Sequence, residues 1–420
     1  MLVDAWLPRA ARAHPERAAV NALTYAELLL AAREAAAGLA CRGVQPGDRL
    51  ALALTPGTEA VVALHAAWLL GAVVVPHDLR LTPGERPAAD HVVERVERVA
   101  VRGAPPAITH DLDAPAFVLQ TSGTSGTPKL VTLTFGNLLW SAIGSGAAIG
   151  VQPDDAWLCT LPLSHVGGLS ILVRSVIGAT HALVHSGWDT DRVLAALTTE
   201  AVTLVSLVPT TLQRLLDGGL EQPAHLRCAL LGGAPVPPDL LRRAAAAGVP
   251  VAQTYGLTET CSQVTTQSPG DPEPDAGPPL FCTRVRVAGD GELMVSGPTV
   301  AGGGELATGD LGRRDAAGRV TVTGRKADTI VTGGENVAPT EVEAVLTEHP
   351  AVADAAVHAR PDATWGEAVV ATVVLRAPVT EAELRGHCAA RLAAFKVPKA
   401  VTFAGALPRT ASGKLLRRAL

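Results

Sequence analysis

Residues 117–129 read FVLQTSGTSGTPK. The first four make a strand-like run, and the next nine hold five hydroxyl residues, two glycines, one proline and a closing lysine. Gly123 and Gly126 let the backbone approach a ligand, while Thr121, Ser122, Thr124, Ser125 and Thr127 offer donors as an anion-binding nest does. Lys129 adds a positive charge. The spacing is not G-x-x-x-x-G-K-[ST], so the P-loop is excluded. Taken alone the segment also admits an exposed Gly/Thr/Ser linker, and its neighbours must decide.

Those neighbours alternate between strand-like and helix-like runs. Thr24 and Glu27 have capping-box spacing and open a helix to about Cys41. RLALALTP (49–56) and AVVVP (72–76) read as strands, as do TLVSLV (203–208), CALLGG (228–233) and VPVAQT (249–254). Such alternation predicts α/β layers on a largely parallel sheet. From about residue 269 the texture changes to Pro- and Gly-rich turns with short strands, ELMVSG (292–297) and RVTVTG (319–324). Beyond GRKAD (324–328) comes a self-contained α+β pattern: a helix capped by Thr340 and Glu343, two strands near 351–359 and 368–376, and a helix capped by Thr380 and Glu383. Leu384, Cys388, Leu392 and Phe395 would form one stripe of that last helix. The expected architecture is α/β: a large N-terminal domain of layered α/β subdomains over residues 1–323, a hinge at 324–328, and a small mobile α+β domain at 329–420.

Composition narrows the function classes. The chain has 420 residues, 48% hydrophobic and 18% charged, which suits two or three globular domains. A net charge of -5 gives no basic footprint for nucleic acid and no attraction to anionic lipid. The longest apolar run, about residues 66–75, is half of a membrane span, and MLVDAWLPRA has no signal-peptide pattern, so a cytoplasmic protein is expected. Six scattered cysteines with no CxxC pair argue against a disulfide framework or a metal cluster. Only five of the 35 basic residues are lysines, at 129, 326, 396, 399 and 414. A lysine here is therefore expected to serve as a compact ammonium.

Three further stretches could carry chemistry. YGLTET (255–260) combines an aromatic plate, a hydroxyl and a carboxylate after a strand, suited to stacking on a base with Glu259 as an oxygen ligand for Mg2+. A strand end with a solvated glutamate is the plainer reading. TGD (308–310) puts Asp310 after a glycine, where it could accept both hydroxyls of a ribose or simply close a turn. PRTASGKLLRR (408–418) places Lys414 after a Ser-Gly turn, a position that also suits a solvated surface charge.

In chain order TSGTSGTPK, LPLSHVGG, LLGGAP, TYGLTET, TGD, GRKAD, GGEN and PRTASGK resemble the motifs of the acyl-adenylate-forming superfamily of acyl-CoA synthetases, adenylation domains and luciferases. The resemblance covers essentially the whole chain. It implies that residues 121–129 cradle the ATP phosphates, that Gly232, Gly233 and Ala234 line the adenine pocket, and that Tyr255 stacks on adenine. It further implies that Thr258 contacts the α-phosphate, Glu259 holds Mg2+, Asp310 and Arg325 bind the ribose, and Lys414 bridges the substrate carboxylate and α-phosphate. His165 would gate the acid pocket beside Gly256, and Gly333 and Gly334 of GGEN would line a pantetheine channel once the small domain swivels.

LPLSHVGGLSILVRS (161–175), QTYGLTETCSQ (253–263), 333–357 and 407–417 are most similar to o-succinylbenzoate:CoA ligases of menaquinone synthesis. Such an acid keeps a second, aromatic carboxylate, so its pocket should hold a buried cation or several donors. Arg174 is the candidate, with a helix-surface arginine as the alternative. Three departures accompany the resemblance. GPTVAGGGELATGD (297–310) lacks the longer aromatic-containing insert, which puts loop order near the site in question. The usual hinge position holds Ala327, leaving any charged tuning to Lys326 or Asp328. No CoA adenine or phosphate site is evident, so the acceptor thiol could belong to CoA or to a carrier protein. A ligase for another aryl or fatty acid, and a nucleotide-binding protein without turnover, stay open here, as does the oligomeric state, a homo-oligomer included.

Overall fold

The computed structural model describes residues 1–101, 108–121, 129–409 and 415–420. The expected α/β layering is present. One sheet of eight strands runs in the order Thr265–Thr266, Val251–Tyr255, Cys228–Leu231, Leu204–Leu207, Ala156–Cys159, His181–Val184, Ala18–Val20 and Leu23–Thr24. Its neighbours from Val251–Tyr255 through Ala18–Val20 pair in parallel. Ala156–Cys159, Leu204–Leu207 and Cys228–Leu231 are buried at every residue, as strands covered on both faces must be. A five-stranded sheet orders His91–Val93, Arg49–Leu52, Val73–Pro76, Pro115–Thr121 and Lys129–Thr134.

Thr24 caps the helix Tyr25–Cys41 as its spacing predicts, with Glu27 accepting the Thr24 N–H at 2.8 Å. The strand Lys129–Thr134 is a finding that the sequence reading missed. It runs antiparallel to Pro115–Thr121, with Thr121 opposite Lys129.

A four-stranded antiparallel sheet, Arg284–Val287, Glu292–Ser296, Glu305–Arg314 and Val320–Arg325, leads to the C-terminal region. There Glu335–Val337, Ile330–Thr332, Gly366–Leu375 and Val352–Asp362 form a sheet to which Ala400–Phe403 adds in parallel. The buried residues of this region, Ile330 to Val401, make an apolar cluster of their own. Two details differ from expectation. The helix Pro339–Thr347 is not capped by Thr340 and Glu343: Pro339 takes the first helical position, where its fixed φ and missing N–H suit a helix start, so Ala338 becomes the N-cap. Thr340 instead donates to the Thr323 carbonyl, and Glu343 binds Arg417 and the Val357 N–H. The last helix is Glu381–Ala389, so Leu392 and Phe395 pack on the same core from the segment after it.

Lys326, just past the strand Val320–Arg325, binds Asp290 at 2.6 Å and Glu292 at 2.9 Å. Asp328 lies 3.5 Å from Arg417. Ala327 stands between these two charged anchors. Among the described residues no helix is long and apolar enough to cross a membrane.

The large core encloses two histidines. His110 stacks on Phe135 at 4.1 Å and His65 meets Trp68 edge-on. Burial lowers the pKa of His65 to about 3 and that of His110 to about 4. An unfolded chain takes up these protons near pH 6.5 and the folded one does not, so stability is complete above that pH and falls as pH drops towards 4. At pH 5 the loss should be about 2 kcal/mol per histidine. Denaturant titrations at pH 7.5 and 5 should show it, and His110→Phe should shrink the difference; an unchanged difference would contradict the assignment.

Candidate active site

A cleft of about 2100 Å3 opens where the parallel strands end. Its walls include Thr121, Thr160, Val208, Gly232 and Gly256, each at or just beyond the carboxyl end of a strand. Ligands of open α/β sheets bind in such crevices. Of the residues singled out from sequence, Thr121, Lys129, His165, Arg174, Gly232, Gly233, Gly256, Thr258, Glu259 and Arg325 all line it. Tyr255 and Asp310 sit beside it, and Ala234 follows Gly233. Ser122, Gly123, Thr124, Ser125, Gly126, Thr127 and Lys414 lie outside the described residues. Arg409 lines the cleft as well, which brings the residue preceding the Lys414 segment to its edge. Gly333 and Gly334 are not among the lining residues; they form a turn with φ of 60° and 87°, against Trp365.

Arg174, on the helix Val166–Gly178, lines the cleft. It is buried, at 8% exposure, which overturns the surface alternative. Its guanidinium lies 5.3 Å from the centre of the Trp157 ring and donates to Ser262 Oγ at 3.3 Å. Its Nε has no hydrogen-bond partner among the described residues. Burial pulls its pKa down to about 10, so it keeps its charge at neutral pH. A desolvated cation with an unused donor is arranged to receive an anion. His165, the N-cap of the same helix, is half-buried, and burial holds its imidazole below its usual pKa, hence neutral at pH 7.

The partner of Arg174 comes from a strained turn. After the short 3-10 turn Thr258–Thr260, Cys261 and Ser262 both take positive φ, 54° and 92°. Side chains rarely adopt that conformation, and it persists where surroundings enforce it. Here Ser141 Oγ donates to the Cys261 carbonyl at 2.6 Å, and the Ser262 carbonyl presses on Gly256, where an added Cβ would come within 1.5 Å of its oxygen. Only glycine fits at 256. Sequence reasoning missed Ser262 and Trp157; only their nearness to TYGLTET and LPLSHVGG marked them.

Asp310 pairs with Nε of the cleft-lining Arg325 at 2.6 Å and accepts the Tyr255 hydroxyl at 2.7 Å. The Tyr255 ring packs against the apolar cluster of the four-stranded sheet. The short 297–304 loop is pinned: Ala301 N–H donates to the Glu259 carbonyl at 2.8 Å, and Asn137 Nδ2 binds Pro298 O at 2.8 Å. Loop order near the site is thus kept without the longer insert.

No cluster of three or more metal-ligating side chains occurs among the described residues. A Mg2+ ion that arrives with phosphates needs only one or two carboxylates from the protein, and Glu259, in the cleft and without an ion pair among the described residues, fits that donor set.

Comparison with known proteins adds the family. A model of AMP-binding enzymes matches residues 7–97 and 86–307, and a model of the AMP-binding enzyme C-terminal domain matches 341–414. The chain belongs to the AMP-binding enzyme family. Among curated members of the family, the 2-succinylbenzoate–CoA ligase of Bacillus licheniformis is 38% identical over 100% of both chains. Two solved structures of the Bacillus subtilis o-succinylbenzoate CoA synthetase have a TM-score of 0.90: one in complex with the acyl-adenylate intermediate, 36% identical over 100% of this chain and 98% of that one, and one with ATP and magnesium, 35% identical over 100% of both. For an AMP-binding enzyme the cleft is amply sized.

Proposed function

We propose that this chain is an AMP-forming o-succinylbenzoate:CoA ligase working through an acyl-adenylate. The observation that carries the choice of acid is Arg174, a buried, cleft-lining guanidinium whose Nε has no hydrogen-bond partner among the described residues. It would hold the aryl carboxylate and leave the aliphatic carboxylate directed towards ATP. Thr121 to Lys129 would cradle the triphosphate, Gly232, Gly233 and Ala234 the adenine with Tyr255 against it, and Asp310 and Arg325 the ribose. Mg2+, held by Glu259 and the phosphates, would supply neutralising charge.

In the first step the substrate carboxylate oxygen bonds to the α-phosphorus, the bond to the β-phosphate oxygen breaks, and pyrophosphate leaves. Thr258 contacts the α-phosphate, and Lys414 offsets the charge that gathers on it. In the second step the thiol sulfur of CoA bonds to the acyl carbon, the acyl–phosphate bond breaks, AMP leaves and the thiol proton passes to water. Between the steps residues 329–420 turn about 324–328 relative to 1–323, so that Gly333 and Gly334 face the channel that His165 gates. ATP, CoA and the acid are free small molecules, which supports reading the enzyme as cytoplasmic; self-association into a homo-oligomer is compatible with this chemistry.

The test is pyrophosphate release with Mg-ATP across o-succinylbenzoate, benzoate, other aryl acids and fatty acids, each with and without CoA. Selective release with o-succinylbenzoate, and thioester only when CoA is added, is expected. Preference for a monocarboxylic acid would refute the assigned acid, and no release with any acid would refute the ligase.

A further inference from the structure

The turn that carries Asp310 is not a plain hairpin feature. Glu292 pairs across the sheet with Leu311 and Met294 pairs with Ala307, so Thr308, Gly309 and Asp310 bulge out opposite Leu293 alone. Bulges of this kind re-aim side chains and need outside support, because their own ladder bonds are lost. Here the support comes from side chains. Thr308 Oγ1 donates to the Leu293 carbonyl at 2.7 Å and accepts the Asp310 N–H at 3.1 Å. Glu292 Oε1 accepts the Gly309 N–H at 2.9 Å, and Gly309 takes a φ of 71°.

The other oxygen of the same carboxylate faces a different segment. Glu292 Oε2 binds Lys326 Nζ at 2.9 Å, and Asp290 shares that ammonium at 2.6 Å. Lys326 follows Arg325, whose guanidinium holds Asp310 and whose backbone pairs with it across the sheet. One side chain therefore holds the chain neighbour of each member of the Asp310–Arg325 pair. Glu292 also lines the cleft and is only 12% exposed, so its geometry is well shielded. The Lys326 ammonium and the Gly309 amide hold its carboxyl below the usual pKa range, which keeps it ionised at neutral pH.

We infer that Glu292 is a positioning residue of the nucleotide site, tying the Thr308–Asp310 bulge to Lys326 and so fixing the Asp310–Arg325 pair for a ribose. The inference rests on the reading of that pair as the ribose contact. It makes Lys326, adjoining Ala327, the cation that completes the support.

Equilibrium titration with AMP and steady-state kinetics on the full chain test it. Glu292→Ala should weaken AMP binding and raise KM for ATP by about tenfold, with KM for the acid within about twofold of wild type. Glu292→Gln keeps an acceptor for Gly309 and loses the charge facing Lys326, so about threefold is expected, as for Lys326→Ala. Inhibition by pyrophosphate, which lacks a ribose, should stay unchanged in all three. Unaltered AMP affinity in Glu292→Ala, or parallel rises in KM for acid and ATP, would overturn the proposal; if that variant folds poorly, Glu292→Gln and Lys326→Ala decide by the same criteria. AMP binding is read without turnover, so an inactive wild type would remove the ligase reading while this comparison still stands.

Discussion

Lys414→Ala is expected to slow acyl-adenylate formation by roughly 10²–10³-fold while ATP still binds within a few-fold of wild type. On the proposed reading the ground-state phosphate contacts would be spread over residues 121–129, whereas the charge passing between acid oxygen and α-phosphorus needs a cation in place only as it develops. Described residues on either side of position 414 are anchored by ion pairs. Arg409 pairs with Asp354 at 2.7 Å, and Arg417 grips Glu343 and the Val357 carbonyl. Arg409 also lines the cleft. Single-turnover pyrophosphate release measures the effect. A rate matching wild type would remove Lys414 from the first step.

The second large effect should come from Arg174. Arg174→Leu is expected to lower kcat/KM for o-succinylbenzoate by about 10²-fold, or about 3 kcal/mol, because a buried charge-assisted contact is lost and the aryl carboxylate is left desolvated. The same variant should act on 4-oxo-4-phenylbutanoate, which lacks the ring carboxylate, within about threefold of wild type. Arg174→Lys keeps the charge without the planar fork and should fall between. Equal losses on both acids would show that the arginine supports the fold through Trp157 and Ser262 and does not read the substrate.

Arg174 also shows where sequence reading stops. Its helix, Val166–Gly178, is buried continuously from Gly168 to Val176, so no polar face betrays which side meets the cleft. A charged residue there could be placed only by the fold. Ser262 was hidden for another reason: positive φ at two successive residues that are neither glycine nor asparagine has no local signature. The hairpin strand Lys129–Thr134 was overlooked because the loop before it drew the reading to its lysine. Where local chemistry decides, the sequence was legible. Thr24 and Glu27 cap their helix as spaced, yet the same spacing at Thr340 and Glu343 failed because Pro339 started that helix two residues ahead. The strand-end motifs at Thr121, Gly232 and Gly256 were readable for a similar reason, since each lies at the end of its strand and the strand ends of two sheets meet at one cleft.

The central claim is that o-succinylbenzoate is activated as an adenylate in this cleft, with Arg174 reading the second carboxylate. The most direct measurement mixes enzyme, Mg-ATP and o-succinylbenzoate without CoA, quenches, and identifies the bound species by mass. The account predicts the o-succinylbenzoyl adenylate in near one-to-one yield with enzyme, converted to the CoA thioester on a chase with CoA. Absence of that adenylate, while a monocarboxylic acid forms one readily, would contradict it.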